Sequence, residues 1–112
     1  MPTDIYSLLS EERLRQGCQG YDAAHDDALT EGQLARAAVC FIDTAFVQVR
    51  SGASVPVEFS HPDWPFPVCA VDFSGPPLRN LVKGCALAMA EIERLQRIPA
   101  HTTHAPPHPG HS

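Results

Sequence analysis

The chain has 112 residues, a formal net charge of −5 at pH 7, 44% hydrophobic residues and 19% charged residues. These values are typical of one globular domain with a single core. The charge disfavours general binding to nucleic acid or anionic membrane, because such binding needs many cationic side chains and Lys83 is the sole lysine. No apolar run approaches the ~20 residues of a membrane span and no secretory signal is visible, which predicts a cytoplasmic protein.

Two helices are predicted in the first half of the chain. The first spans residues 4–16 and follows Thr3, whose hydroxyl suits a helix N-cap. The second runs to about Val47 and begins near Thr30. Thr30 and Gln33 have the spacing of a capping box, in which each side chain bonds the backbone amide of the other.

A third helix is predicted over residues 77–98. Pro77 suits the first turn of a helix, and Pro99 prevents its continuation. Both long helices carry an apolar stripe at steps of three and four residues, which is typical of a helix buried along one side. In the second helix the stripe consists of Leu34, Ala37, Ala38, Phe41, Ile42, Ala45 and Phe46. In the third it consists of Leu78, Leu81, Val82, Cys85, Met89, Ile92 and Leu95.

The expected fold class is therefore mainly α, with two long antiparallel helices and a short N-terminal helix. Alanines on both long helices would let them pack closely. Cys40 and Cys85 fall on the stripes and are predicted to be buried free thiols. The core between two helices is small, so a homodimer or a higher homo-oligomer is expected.

The segment between the long helices, residues 50–76, has a different composition. Residues 55–59 and 68–73 have the composition of strands and can pair as a small β-hairpin, whereas HPDWPFP at 61–67 is too rich in proline for a helix or a central strand. Its aromatic residues are expected to fold back on the helices as a lid. They are Phe59, Trp64, Phe66 and Phe73.

The domain boundary is predicted near residue 98. Residues 1–98 form one helical domain that contains the insertion, and residues 99–112 are rich in Pro, Gly and His and are predicted to be disordered. The histidines of this tail resemble a weak metal-binding tract. No metal or other cofactor is predicted for the leading function.

The first candidate site is the constellation of Tyr21, His25, Asp26 and Asp27. A histidine beside two carboxylates has the right atoms for a metal site or an acid–base pair, since a carboxylate orients the imidazole and raises its pKa. Binding of another ligand is a further possibility. The structural alternative is that these acids place negative charge before a helix N-terminus, where it is favourable.

A second candidate site lies at the start of the third helix. Arg79 and Lys83 share a helical face, with Asn80 adjacent, and two cations near a helix N-terminus can hold a phosphate or carboxylate. The same cations can instead pair with nearby acids. Trp64 and Phe66 offer stacking faces for a base, or they can be core residues.

Three stretches together resemble a group of small phage and prophage proteins that are mostly uncharacterised. They are YDAAHDDALTEGQLARAA, the WPFP segment and LRNLVKGCALAMAEIERLQR. The shared pattern is roughly H-D-D-x2-T-x-G-E-L-A-x-A-A, then W-P, then R-D-L-V-K-A-x-A-L-x3-E-I-E-R-L. Gln33, Asn80 and Gly84 depart from it, and the first two each remove a carboxylate.

The last predicted helix is also distantly similar to that of phage MazG-like nucleotide pyrophosphohydrolases. That similarity implies a helical, oligomeric scaffold related to nucleotide-handling proteins. Those enzymes hold magnesium with E-x-x-E and E-x-x-D acids, and this chain lacks that set. The absence of a phosphate-binding loop or a nucleophile motif likewise favours binding over catalysis.

The leading hypothesis is a non-catalytic phage-type or prophage-type protein. It would act against host defence by binding either an immune protein of the host or an anionic nucleotide signal. In the nucleotide version, Arg79, Asn80 and Lys83 hold phosphate, His25 contacts the ribose or base, and an insertion aromatic stacks.

Two alternatives remain at this point. The first is a Mg-dependent nucleoside triphosphate pyrophosphohydrolase with His25, Asp26, Asp27 and Glu91 around the metal. The second is a structural or regulatory oligomer with neither ligand nor turnover.

Overall fold

The computed structural model describes residues 4–18, 22–67 and 71–99. Over these ranges the protein is mainly helical, as the sequence predicted. The elements in chain order are α1 (Ile5–Cys18), α2 (Ala23–Asp27), α3 (Gln33–Ser51) and α4 (Pro77–Gln96). The short helix α2 was not predicted. It forms because the Asp22 carboxylate caps it by accepting a hydrogen bond from the His25 amide at 3.0 Å.

The two long helices α3 and α4 pack against each other in antiparallel directions. At one end the Asn80 amide donates to Gln48 at 2.9 Å, and farther along Gly84 faces Ala38 and Ile42. A β-carbon at residue 84 would lie 3.1 Å from the Ala38 carbonyl oxygen. The absence of a side chain at Gly84 therefore sets how closely the helices approach.

The capping box predicted at Thr30 is wrong. The N-cap of α3 is Gly32, which has φ 80° and supplies no side-chain hydrogen bond. The Gln33 side chain instead accepts from the backbone amide of Glu31 at 2.7 Å. At the other end Gly52 has φ 73° and its amide donates to the Gln48 carbonyl, a left-handed C-cap that glycine adopts without strain.

The buried side of α4 is rotated from the predicted stripe, whereas that of α3 largely agrees with it. In α4 the structure buries Asn80, Val82, Gly84, Ala86, Ala90 and Arg94, whereas the predicted core residues Leu78, Leu81, Cys85, Ile92 and Leu95 are exposed. In α3 five of the seven predicted stripe residues are buried and two, Ile42 and Phe46, are exposed. The five are Leu34, Ala37, Ala38, Phe41 and Ala45. Cys40 is a buried free thiol as predicted, and Cys85 is an exposed one.

The insertion folds back over α3, as expected of a lid. Phe73 is fully buried and packs with Cys40 and Phe41, and Phe59 and Trp64 pack around this cluster. No strand is present in the described part of the insertion, so residues 55–59 do not form a hairpin there. Part of the second predicted strand, residues 68–70, lies outside the described residues.

His61 adds a polar contact between the insertion and α3. His61 Nε2 lies 2.8 Å from an Asp43 carboxylate oxygen, and His61 Nδ1 accepts the Asp63 amide at 3.1 Å. The imidazole thereby fixes the turn at residues 61–64 against the helix. Both ring nitrogens are used, which is consistent with one defined ring orientation.

Helices α1 and α2 pack across α4 through pairs of opposite charge. Arg13 of α1 lies 2.6 Å from Glu93, and Asp27 of α2 lies 2.7 Å from Arg97. Among the described residues no helix has the length and apolar character needed to cross a membrane. Tyr21 and the tail histidines lie outside the described residues.

Candidate functional site

A cavity of about 240 Å³ lies where α1 and α2 meet the long helices and the insertion. One part of its wall is aromatic and aliphatic, formed by Leu34, Phe41, Trp64, Phe66, Val71 and Leu87. The other part is polar, formed by Glu12, Arg15, Gln16, His25, Asp26, Asp72 and Lys83. A concave site with apolar walls and a few convergent polar groups is the usual form of a small-molecule site.

The aromatic wall is rigid because its rings brace one another. Trp64 meets Phe41 edge to face at 5.6 Å between centroids and Phe66 at 5.4 Å. Phe73 supports both Phe41 and Trp64 from behind, at 4.5 Å and 5.5 Å. The Trp64 indole Nε1 is buried and donates to no atom of the described residues. A buried donor without an acceptor is costly to the fold.

Lys83 supplies a cation beside this wall. Its Nζ donates to the backbone carbonyl of Asp72 at 3.0 Å and lies 5.5 Å from the centroid of the Phe41 ring. Burial lowers the pKa of Lys83, and this effect outweighs the opposing charge of Asp72. No carboxylate of the described residues comes within ion-pair distance of Nζ. The ammonium is therefore partly desolvated and not directly neutralised, a state that favours an incoming anion.

Helix α1 contributes a carboxylate that is already matched by cations. Glu12 is 1% exposed, and its oxygens accept from Arg15 Nε at 3.0 Å and from the Gln16 amide at 3.0 Å. Arg79 Nη1 lies 3.7 Å from Glu12 Oε1. Burial would raise the pKa of Glu12, but the hydrogen bonds and charges of these partners lower it overall. Glu12 is thus an ionised, compensated group that positions Arg15 at the cavity.

Helix α2 contributes His25 and Asp26. Asp26 is 4% exposed, and its carboxylate lies 3.4 Å from His25 Nδ1. Since Asp22 caps α2 through the His25 backbone, the short helix fixes both side chains at the cavity wall. No group of three or more His, Cys, Asp and Glu side chains within the described ranges has the geometry to hold a metal ion.

The structure brings together five of the nine residues predicted to bind ligand. His25, Asp26, Trp64, Phe66 and Lys83 all line the cavity. These five residues come from three groups that the sequence analysis treated separately. The groups are the constellation around His25, the aromatic residues of the insertion and the cationic start of α4.

The other predicted residues lie elsewhere. Asp27 pairs with Arg97 on the surface, and Arg79 contacts Glu12 without lining the cavity. Asn80 is fully buried between the long helices, where its amide donates to Gln48 and to the Phe73 carbonyl, both at 2.9 Å. Tyr21 lies outside the described residues. Asn80 thus has a structural role, because its hydrogen bonds join three segments of the fold.

The residues of the magnesium alternative do not assemble. Glu91 is held by Arg94 through two hydrogen bonds of 2.8 Å and 2.9 Å, and Asp27 is held by Arg97. Both acids are therefore engaged in ion pairs instead of converging with His25 and Asp26.

Four polar residues of the cavity were missed from the sequence, namely Glu12, Arg15, Gln16 and Asp72. Three of them lie at steps of three and four residues on α1, so one face of this helix is polar and turned inward. That spacing is visible in the sequence, but a polar face is ordinarily assigned to solvent. Only the packing of α1 across α4 brings it to the cavity.

Comparison with protein-family models, with curated proteins and with solved structures finds no match to this chain. The functional interpretation therefore depends on the cavity itself.

Proposed function

We propose that this protein is a non-catalytic binding protein whose cavity takes a small anionic nucleotide. The observation that supports this most directly is the position of Lys83, a partly desolvated ammonium beside a wall of braced aromatic rings. A nucleotide combines the two complementary features, an anionic phosphate and a flat base.

The size of the cavity limits the ligand. About 240 Å³ is smaller than the roughly 300–1,000 Å³ typical of drug-sized ligands, which suits a mononucleotide or one nucleotide unit of a larger signal. In this arrangement Lys83 holds phosphate, Trp64 or Phe66 stacks on the base, and the Asp26 carboxylate accepts from an amino group of the base.

Arg15 is the second cation of the site. Its guanidinium is held by Glu12 through two hydrogen bonds and is about half exposed, so its positive charge is accessible to a phosphate at the cavity.

For the biological setting we propose a phage or prophage protein, on the resemblance of three sequence stretches alone. A binding protein without turnover would act in the host cytoplasm by sequestering a nucleotide signal of the defence response. A host immune protein as the binding partner is the alternative form of this proposal. That alternative predicts that the cavity has no affinity for nucleotides.

Isothermal titration calorimetry with a panel of nucleoside mono-, di- and triphosphates and cyclic nucleotides tests the proposal. At least one member should bind, and Lys83→Met should weaken that binding at least tenfold. Arg50→Met, an exposed cation at the end of α3, is the matched control and should leave the affinity unchanged.

The same samples are then incubated with Mg²⁺ and assayed for release of phosphate and pyrophosphate, which should be absent. Failure of every nucleotide to bind at millimolar concentration, or equal affinity in Lys83→Met, would overturn the nucleotide proposal. Release of pyrophosphate would show an enzyme instead.

A further inference from the structure

The surface on the other side of the α3 and α4 pair is unusually apolar. In α3, Val39, Ile42, Phe46 and Val49 recur at steps of three and four residues, and they are 49%, 39%, 58% and 69% exposed. At this spacing they form one stripe along the helix. The buried residues of α3 lie on a different side, so this stripe is separate from the core.

Helix α4 carries a matching stripe. Leu78, Leu81, Cys85, Ile92 and Leu95 also follow helical spacing and are all exposed. The contact of Gly84 with Ile42 places the two stripes side by side across the seam between the helices. Helices α1 and α2 bind α4 through other residues, including Glu93 and Arg97, so neither covers this surface. We call the two stripes together the open face.

The area of the open face exceeds what a monomer normally leaves in water. Its large side chains expose on the order of 700 Å², whereas the largest apolar patch of a typical monomer is about 300–600 Å². A standard stable interface buries about 800 Å² on each partner. One copy of the open face is therefore close to the size that a dimer needs.

The chemistry of the open face indicates which kind of partner binds to it. The side chains of both stripes are uncharged, so they provide apolar contacts and no ion pairs. A second copy presents the same uncharged, apolar surface, and two antiparallel helix pairs packed face to face form a four-helix bundle. We propose that the open face is the interface of a homodimer, in which α3 and α4 of each protomer form this bundle.

This proposal gives the homo-oligomer expected from the sequence a defined interface and a defined number of subunits. The residues predicted for the core of one chain, among them Phe46 and Ile92, become the core of two chains. The nucleotide cavity lies on the opposite side of the helix pair and does not take part. The dimer is therefore independent of the proposed ligand.

Sedimentation equilibrium on the full chain tests the proposal. The wild type should have twice its chain mass of 12.2 kDa at micromolar concentration. Phe46→Glu and Ile92→Glu, on different helices, should each raise the dissociation constant at least a hundredfold. Leu14→Glu is the control, because Leu14 is 70% exposed on α1 and lies outside the open face.

The salt dependence of the dissociation constant distinguishes this apolar dimer from one held by ion pairs. Each copy has a net charge of −5, so raising NaCl from 50 to 500 mM should screen repulsion and tighten the dimer several-fold. Circular dichroism should show unchanged helicity in the three variants. A monomeric wild type, a dimer that only Leu14→Glu disrupts, or a stable complex with a different protein would overturn the proposal.

Discussion

Gly84 lies so close to Ile42 of the facing helix that a β-carbon on residue 84 would be 2.7 Å from Ile42 Cγ1. The same β-carbon would be 3.1 Å from the Ala38 carbonyl oxygen. Because a backbone carbonyl of a packed helix cannot move alone, any side chain at this position must separate the two long helices.

Gly84→Ala is therefore expected to destabilise the fold. Separation of a packed interface costs about 1–3 kcal/mol, and the higher helix propensity of alanine returns up to about 1 kcal/mol, so a net loss of about 1–2 kcal/mol is expected. Urea unfolding followed by circular dichroism measures this. Gly17→Ala is the control on α1, where a β-carbon meets nothing within 4 Å, and it should stabilise by about 0.5–1 kcal/mol. Equal effects of the two substitutions would contradict the close contact.

Asn80→Leu is expected to lower stability without a direct effect on the cavity. The Asn80 amide satisfies Gln48 and the Phe73 carbonyl, and its loss leaves buried acceptors unpaired at a cost of about 1–3 kcal/mol. Thermal unfolding measures the loss, and calorimetry on the folded variant should return the wild-type nucleotide affinity. A strong loss of affinity in a fully folded variant would place Asn80 at the ligand after all.

Lys83→Met is expected to change stability little while it removes ligand binding. The variant loses a hydrogen bond and a cation–π contact, worth roughly 1 kcal/mol each. It also removes a charge whose burial opposes folding, as the lowered pKa of Lys83 indicates. These effects offset one another, so the free energy of unfolding should change by no more than about 1 kcal/mol. A loss of several kcal/mol in urea unfolding would show that Lys83 mainly supports the fold.

Acid should destabilise the protein through Glu12 and Glu93. The pKa of Glu93 is lowered chiefly by a hydrogen bond from Arg13, and that of Glu12 by its cationic partners in spite of burial. A lowered carboxyl pKa stabilises the fold above the unfolded value of 4.5 and loses this effect as pH falls through the folded value. Melting temperatures between pH 6 and pH 3 should therefore fall most steeply below about pH 4.5.

Glu12→Gln identifies the contribution of α1 to this acid response. The amide cannot ionise, so the variant should be less stable at pH 6 and its stability should change less between pH 5 and pH 3. Glu11→Gln is the matched control, since Glu11 is the exposed neighbour on the same helix. An unchanged pH profile in Glu12→Gln would show that other carboxylates dominate.

The sequence was sufficient to predict the long helices and the buried side of α3, but not which side of α4 faces the core. Periodicity detects an apolar stripe, and α4 has large apolar residues such as Leu81 and Ile92 on one side and small residues such as Ala86 and Ala90 on another. The structure buries the side with the small residues and leaves most of the large ones exposed. This choice depends on contacts between distant segments, which local spacing does not encode.

Only part of the candidate site could be predicted, again because local spacing does not encode contacts between distant segments. His25, Asp26 and Lys83 carry unusual chemistry for their local context, so they stood out in the sequence. Arg15 and Gln16 looked like ordinary solvent-facing residues, because their partner Glu12 is buried only once α1 crosses α4. The short helix α2 went unnoticed since a five-residue element has too little periodicity to detect.

The position of Trp64 makes it an intrinsic fluorescent probe of the cavity. It is the chain's single tryptophan, and its indole lies at the cavity wall against Phe41 and Phe66. Emission excited at the indole band therefore arises from one place in the molecule, without a dye or an introduced label. Quenching or a spectral shift on adding a nucleotide would report occupancy directly, and the same signal screens compound collections in a plate reader.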